Sequence, residues 1–454
     1  MLDTNFIRNN PDRLKEIIKN KGTNTNKANV DKWLDLDNTK TNLLKEIEIT
    51  NQRRNEIAKI LSKGQADEVL KSEGKNLKEK IQKLNEDIQN VEKEWCEIMS
   101  WFPNIPFNNI KIGKDDTENP EIFAWRPDTG ELSKDKLGQG YEAAKYMPNK
   151  LLFADKDFQP KHHLDLLNDL GLVDLPQAAK IAGTRFAYLR GDLVRLQKSL
   201  HNYLLDHLYG LGFEPINPPL LVKEKILFGT SHFPEGRDQV YEIKNDYLEE
   251  SDSLFLVGSS EPSNFAYGMD KIFKFEDLPF KMVAITPSFR SEVGSWGKDV
   301  RGLKRVHQFD KLEMDVICTP DQSDKIYEEL LQINHWLLQS LKLPYHIVEK
   351  CTGDSGYAAS ARQADPEVWL TGQQEFMEVG TDTNATDFQA RRMNIQYIDE
   401  NREKKLCHTV NDTGMSDRML IAIVDNYQQS DGSILIPEVL WKYMGKEKIS
   451  REIS

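Results

Sequence analysis

The sequence predicts an α+β protein in which a largely antiparallel sheet follows an N-terminal hairpin of two long helices. Three observations carry this. Apolar residues recur in steps of four and three at Leu77, Ile81, Leu84, Ile88, Val91, Trp95 and Ile98, the heptad spacing of a coiled-coil seam. Strand-like runs at Leu254 to Val257, Met282 to Phe289, Leu312 to Cys318, Phe376 to Val379 and Arg392 to Tyr397 mix with helical stretches without regular βαβ alternation, which favours an antiparallel sheet over a doubly wound one. No GxGxxG or GxxxxGKS/T pattern occurs, so a nucleotide must be held by means other than a glycine-rich phosphate loop.

Taken in order, an earlier helix carries Trp33, Leu36, Leu43, Ile47, Ile57 and Leu61 in the same frame, with Lys40, Thr50 and Arg54 in the intervening seam positions. Gly64 and its polar neighbours permit the chain to reverse between the two helices. At ~1.5 Å per residue, about 30 residues per helix make an arm of roughly 45 Å. Heptads alone also describe a dimerisation rod, whereas the polar seam positions suit an arm that flexes. Pro103 and Pro106 end the second helix, because proline cannot continue the hydrogen-bond ladder. A connector rich in Asp, Glu, Gly and Pro then runs to about Gln159, helical patterning returns from Leu164 to Leu208, and GFEPINPPLLV turns into a strand. The expected domains are 1–110 and 111–454, with the connector at about 111–160.

At 454 residues, 39% hydrophobic and 29% charged, the chain suits a soluble protein of two or three domains. No apolar run reaches the length of a membrane span, and the N-terminus shows no signal or transit character, so cytoplasmic residence is expected. Cys96, Cys318, Cys351 and Cys407 stand apart with no CxxC pair, which argues against a disulfide framework and structural zinc. The net charge of −13 disfavours indiscriminate nucleic-acid binding but leaves room for a local basic stripe.

The stretch FRSEVGSWGKDVRGLKRVHQFDKLE, Phe289 to Glu313, concentrates the chemistry. Arg290 and Glu292 end one strand-like run, a Gly-rich basic loop follows, and Phe309, Lys311 and Glu313 alternate along the next. Alternation with period two puts those three on one sheet face, and pairing of the runs can bring Arg290 onto the same surface. Such a face offers an arginine for phosphate, a flat ring for a purine and carboxylates for an ammonium. A surface hairpin with cross-strand ion pairs is the plain alternative.

This segment resembles motif 2 of the class II aminoacyl-tRNA synthetases, and its RSE, RGL and HQFDK pieces are similar to bacterial-type seryl-tRNA synthetases. Further similar stretches follow in order over nearly the whole chain: MLDTNFIRNNPDRLKE, WFPNIP, GKDDTENPE, TDFQARRMNI and NYQQSDGSILIPEVLWKYMG. The resemblance implies the antiparallel class II catalytic fold, ATP and Mg²⁺, L-serine, tRNA(Ser) with tRNA(Sec) as a second acceptor, and a homodimer formed through a motif 1 to which Gly212 and Pro219 belong.

Residue by residue, the resemblance assigns Arg290 to the α-phosphate and the serine carboxylate, and Arg418 in GMSDRML to the γ-phosphate. Phe309 would stack on adenine, with Ser291 and Glu292 beside the nucleotide. The EVSS element reads Glu378, Val379, Gly380, Thr381, of which Glu378 and Thr381 would meet the metal. The TxE element reads Ser259, Ser260, Glu261; these, Glu313, and Thr413 of NDTG would bind serine. Arg53, Arg54, Lys75 and Lys78 become phosphate contacts for the variable arm of the tRNA, and Lys298, Arg301 and Lys304 for its acceptor end. His307 is expected to be structural.

Three departures stand out. Gly380 replaces the usual serine, Asp412 adds a negative charge where glycine is common, and the segment from Gly414 to Arg418 is one residue short. A shift of Arg418 by ~1 Å would cost about a hundredfold in rate. Two other readings are a catalytically silent tRNA-binding paralogue and a ligase that loads a carrier protein. Retention of Arg290, Glu313, Glu378 and Arg418 opposes the first, and the helical hairpin opposes the second.

Overall fold

The computed structural model describes residues 1–62, 67–244, 253–293, 302–356 and 358–451, which fall into two compact units, Met1–Pro103 and Asn104–Ser454. In the first, helices Thr4–Asn9 and Pro11–Asn20 precede α1 (Val30–Ser62) and α2 (Glu68–Ser100), which pack along one another. The predicted seam is the buried one: Trp33, Thr50 and Ile57 of α1 meet Ile81, Leu84, Ile88, Trp95 and Ile98 of α2. Thr50 tolerates burial because its hydroxyl donates to the Glu46 carbonyl at 2.6 Å. Asp37 is a further buried seam residue that heptad counting missed; it accepts from Arg8 Nε at 2.7 Å and Trp95 Nε1 at 3.2 Å. Lys40–Glu92 (3.0 Å) and Lys80–Glu46 (2.7 Å) tie the helices from the flanks. Gly64 lies outside the described residues.

The second unit is built on a ten-stranded sheet. Its strands in chain order are β1 (Glu121–Arg126), β2 (Gly130–Glu131), β3 (Glu214–Pro215), β4 (Phe280–Phe289), β5 (Gln308–Cys318), β6 (Tyr345–Glu349), β7 (Arg362–Leu370), β8 (Glu375–Glu378), β9 (Asp382–Thr386) and β10 (His408–Ser416). They lie in the order β2-β1-β6-β7-β9-β10-β5-β4-β3, with β8 also pairing with β7. The named pairings are antiparallel except β4 with β3. Helix α3 (Asp192–Gly210) buries Leu193, Leu196, Leu200, Leu204 and Leu208 in the main core, and α5 (Pro320–Ser340) packs on β9 and β10. Between them in sequence comes the short α4 (Glu261–Ala266), and α6 (Arg418–Asn426) follows β10. Among the described residues no helix is long and apolar enough to cross a membrane.

Two expectations change. The helical run from Leu164 to Leu208 divides into His163–Asp169, Leu175–Ala182 and α3. The supposed strand Arg392–Tyr397 is the end of helix Phe388–Met393 followed by a strand of only Gln396–Ile398, because Asn394 turns left-handed at φ 54° and stops the helix. Asn is one of the few non-glycine residues that accept this conformation readily.

One buried polar unit locks the β1–β6–β7 edge. His346 of β6 stands cross-strand from Glu367 of β7. Its Nδ1 lies 2.9 Å from Glu121 Oε1 and its Nε2 2.9 Å from Glu367 Oε2, so both ring nitrogens must donate and the ring is an imidazolium. Burial opposes the charge, but the two carboxylates overcome it and raise the His346 pKa above its ordinary 6.5. A raised folded pKa stabilises fully below the unfolded value and is lost as pH climbs through the folded one. We expect His346→Gln to cost about 3 kcal/mol at pH 6, where two buried carboxylates lose their cation, and distinctly less at pH 9. Denaturant titrations of both proteins at the two pH values check this.

Candidate active site

Ten consecutive cross-strand pairs between β4 and β5, from Phe280↔Ile317 to Phe289↔Gln308, bring Arg290 above Phe309, with the guanidinium carbon 5.3 Å from the ring centroid. Just past β4, the Arg290 amide donates to the His307 carbonyl at 3.0 Å, and His307 Nδ1 lies 2.9 Å from the Arg290 carbonyl. His307 is absent from the wall of the cavity that opens there, in keeping with a structural role. That cavity, of about 330 Å³, is lined by both predicted arginines, Arg290 and Arg418, together with Phe309, Glu292 and the run Glu378 to Thr381.

Arg418 reaches the wall from the first turn of α6. Its Nη1 donates to the Glu378 carbonyl at 3.0 Å and pairs with Glu378 Oε1 at 3.1 Å, while Nε donates to the Lys304 carbonyl at 3.2 Å. Crowding by protein and the charge of Arg418 lower the Arg290 pKa, which still leaves it cationic. For Glu378 the enclosure acts upward, and Arg418, Lys350, Arg290 and Arg305 outweigh it, so its carboxylate titrates below the usual range. The wall is therefore prepaired, with one carboxylate facing several cations. Glu378 and Thr381 offer one carboxylate and one hydroxyl, a sparse donor set that suits Mg²⁺ when phosphates complete its shell.

At the other end stand Ser259, Glu261 and Thr413. Glu261 Oε1 accepts from Gln389 Nε2 at 2.7 Å, and Lys311 Nζ donates to Ser259 Oγ at 3.1 Å. Burial, and then the Arg290 and Lys311 charges, push the nearby His232 down to about 4, so it is neutral. Glu313 does not open onto the cavity. It is fully buried, ion-paired with the wall residue Lys311, and accepts from Asn411 Nδ2 at 3.4 Å. Ser260 and Ser291 are likewise off the wall: Ser260 accepts from Asn264 at 3.4 Å, and Ser291 Oγ donates to the Asp238 carbonyl. Lys304, in the connection between β4 and β5, contributes to the wall, its ammonium paired with Glu375. Lys298 and Arg301 lie outside the described residues.

Sequence reasoning missed His232, Arg305, Gln363, Thr383, Asn411, Ser416 and Asp417 as wall residues. Thr383 and Asn411 were accessible to it, since they follow from Thr381 and Thr413 by strand alternation, whereas Ser416, three residues from Thr413, shares the wall only because the register shifts between them. On the arm, Arg53 is bound to Glu73 at 2.8 and 3.1 Å, Arg54 is half-buried, and Lys75 and Lys78 are exposed.

Residues 1–106 match the family described as the seryl-tRNA synthetase N-terminal domain, and residues 241–427 match the tRNA synthetase class II core domain (G, H, P, S and T). The serine–tRNA ligase of Thermococcus sibiricus is 36% identical over 458 residues, covering 99% of this chain and 97% of the relative. That of Petrotoga mobilis is also 36% identical, over 99% of this chain and 100% of its own. The chain belongs to the seryl-tRNA synthetase family. A crystal structure of the family's member from Pyrococcus horikoshii, complexed with ATP, superposes with a TM-score of 0.87 at 33% identity and covers 100% of both chains. Membership makes this chain an ATP-dependent aminoacyl-tRNA ligase with the class II fold.

Two of the chain's departures from the family pattern have local explanations. A Cβ at Gly380 would come within 2.7 Å of the Thr413 carbonyl oxygen, so the strand approach excludes serine there. Asp412 adds no charge to the cavity: alternation along β10 sends Asn411 and Thr413 to the wall and Asp412 to the opposite face, where Asn334 Nδ2 donates to it at 2.5 Å.

Its cross-strand neighbour is Asp382, equally buried, with neither carboxyl oxygen hydrogen-bonded. Burial raises both carboxyls well above the ordinary range; Asp412 adds to this at Asp382 against the charge of Arg362, and Glu313 adds to it at Asp412 against the Asn334 hydrogen bond and the charge of Lys311. The folded state thus holds a proton that the unfolded chain releases. The penalty is absent below the ordinary carboxylate pKa and grows as pH rises toward the folded values. Asp382→Asn, whose amide can donate to Asp412, should therefore stabilise by about 1–3 kcal/mol at pH 8 and by almost nothing near pH 4, as read by thermal melts across that range.

Proposed function

We propose that this cavity activates L-serine with ATP to seryl-adenylate and then transfers serine to the 3′ end of tRNA(Ser), and of tRNA(Sec) as well. The supporting observation is that Arg290 and Arg418 line one cavity with an aromatic ring under the first of them. Adenine stacks on Phe309 with Glu292 at its amino edge. Arg290 holds the α-phosphate and the serine carboxylate, and Arg418 holds the γ-phosphate. A serine carboxylate oxygen attacks the α-phosphorus in line, and the bond to the bridging oxygen breaks, that oxygen leaving with pyrophosphate. In the second step a terminal ribose hydroxyl of the tRNA attacks the adenylate carbonyl and AMP departs. No enzyme nucleophile is required, so the side chains act by position and charge.

Glu261 meets the serine ammonium, and Ser259 and Thr413 supply hydroxyl partners, a polar set that penalises an amino acid unable to satisfy it. Glu313 serves from below by fixing the Lys311 ammonium. Glu378 and Thr381 would hold Mg²⁺, which would supply positive charge beside the phosphates. Arg54, Lys75 and Lys78, with Arg53 once released from Glu73, contact the variable arm of the tRNA. Lys304, with Lys298 and Arg301, contacts its acceptor end. The chain works in the cytoplasm as a homodimer, and its domains are the tRNA-binding residues 1–110 and the catalytic residues 111–454.

Serine-dependent exchange of labelled pyrophosphate into ATP tests this directly: exchange with serine and with no other amino acid is expected, and its absence from a folded preparation refutes the reading. Arg290→Ala should lower the exchange rate by about 10²–10³-fold, the loss typical of one charge-stabilising donor. Replacing residues 33–98 by a short Gly/Ser linker should keep exchange near the parent rate while abolishing charging of tRNA(Ser), measured as acid-precipitable serine.

A further inference from the structure

The resemblance implies a segment one residue short before Arg418, yet Arg418 lines the same cavity as Arg290. Pairing of β5 with β10 shifts register between Leu312 and Glu313, so that Gly414 is the extra residue of a bulge. A Cβ there would stand 2.9 Å from Leu312 Cδ2 and 3.0 Å from Leu204 Cδ2, which accounts for glycine. Beyond Lys311↔Ser416 the chain leaves the sheet for α6. Where the next rung would fall, the Asp417 amide donates to the Asp310 carbonyl at 3.2 Å, and the return bond is made by a side chain: Asp310 N–H donates to Asp417 Oδ2 at 2.8 Å. Asp417 Oδ1 accepts from Gln197 Nε2 of α3 at 2.6 Å. The carboxylate leaves its own helix uncapped to do so.

We infer that Asp417 is a positioning residue, a side-chain rung that fixes Arg418 relative to Phe309 and so sets the span between the adenine floor and the γ-phosphate end of the site. This rests on the assignment of Arg418 to the γ-phosphate given above. Asp310 adjoins Phe309 and Asp417 adjoins Arg418, so each of the two bonded residues neighbours one end of the nucleotide. Gln197 anchors the pair to the core helix α3, and Lys198 holds Asp310 from outside at 2.8 Å. An Asn at 417 can still accept from the Asp310 amide while Gln197 turns its own carbonyl inward; an Ala can do neither.

The test is equilibrium binding of ATP and of AMP, without serine, to the full-length protein and to Asp417→Ala, Asp417→Asn and Arg418→Ala, with melting temperatures to verify folding. AMP lacks the phosphate that Arg418 meets. Asp417→Ala should weaken ATP about tenfold and AMP less than twofold, with Asp417→Asn within threefold of the parent for both. Equal weakening of ATP and AMP by Asp417→Ala, or no weakening of either, overturns the inference. If Arg418→Ala erases the preference for ATP while Asp417→Ala retains it, the positioning role alone fails. If Arg418→Ala itself keeps the preference, the phosphate assignment fails and this inference falls with it.

Discussion

The unbroken ladder between β4 and β5 is the constraint on which the site depends. It runs ten residues without a register shift, so it transmits position faithfully from the core, where Met282 and Ile317 are fully buried, to the rim where Arg290 sits over Phe309. A strand pair propped by other strands on both sides has little freedom to slide, because a one-residue slip would turn every side chain to the wrong face. Met282 and Val283, buried in separate cores on opposite faces, would then exchange places. The geometry at the rim is thus held by burial far from it, and the rim residues themselves are free to be polar.

Charge inside the cavity follows from that rigidity. Two guanidinium groups and a lysine are held near one another before any phosphate arrives, an arrangement that is costly unless carboxylates balance it. Glu378 does so at one end and Glu313, beneath Lys311, at the other. The two carboxylates differ in their accessibility. Glu378 is exposed and can exchange an arginine for a metal or a phosphate-borne partner, whereas Glu313 is sealed and acts through the wall residues it bonds, Lys311 and Asn411. A fixed cation is preorganised for an incoming anion, and no reorganisation is then needed as negative charge develops.

Much of this was legible in the sequence, for identifiable reasons. Period two placed Phe309 and Lys311 on one face correctly, and the heptads located Trp33, Ile57, Ile81, Leu84 and Ile88 in the seam. Periodicity reports direction and is silent on depth: Glu313 shares the face of Lys311 and yet is fully buried, off the cavity wall. His232 and Gln363 come to the wall from remote segments, and nothing local marks them. Asp412 was misread as a pocket charge because it was considered as a member of a motif rather than as a strand residue. Applied to Asn411, Asp412 and Thr413, the same alternation that found Phe309 would have turned it away from the cavity.

The two departures with local explanations, together with the shortened segment, share a physical theme, since each lies where strands approach the cavity from β9, β10 or the bend into α6. A Cβ at 380 would meet the Thr413 carbonyl and one at 414 the Leu312 and Leu204 side chains, whereas beyond Ser416 the chain turns into α6 and takes its backbone carbonyls out of the ladder. A backbone group can be replaced only by a side chain that presents an acceptor at the same place, and aspartate is short enough to do this beside its own strand. A longer Glu at 417 would carry the acceptor past the Asp310 amide, and Ser would supply one oxygen where two donors, Asp310 N–H and Gln197 Nε2, must be met. The identity of residue 417 is therefore tied to the point at which the chain leaves the sheet, where two donors meet one short carboxylate.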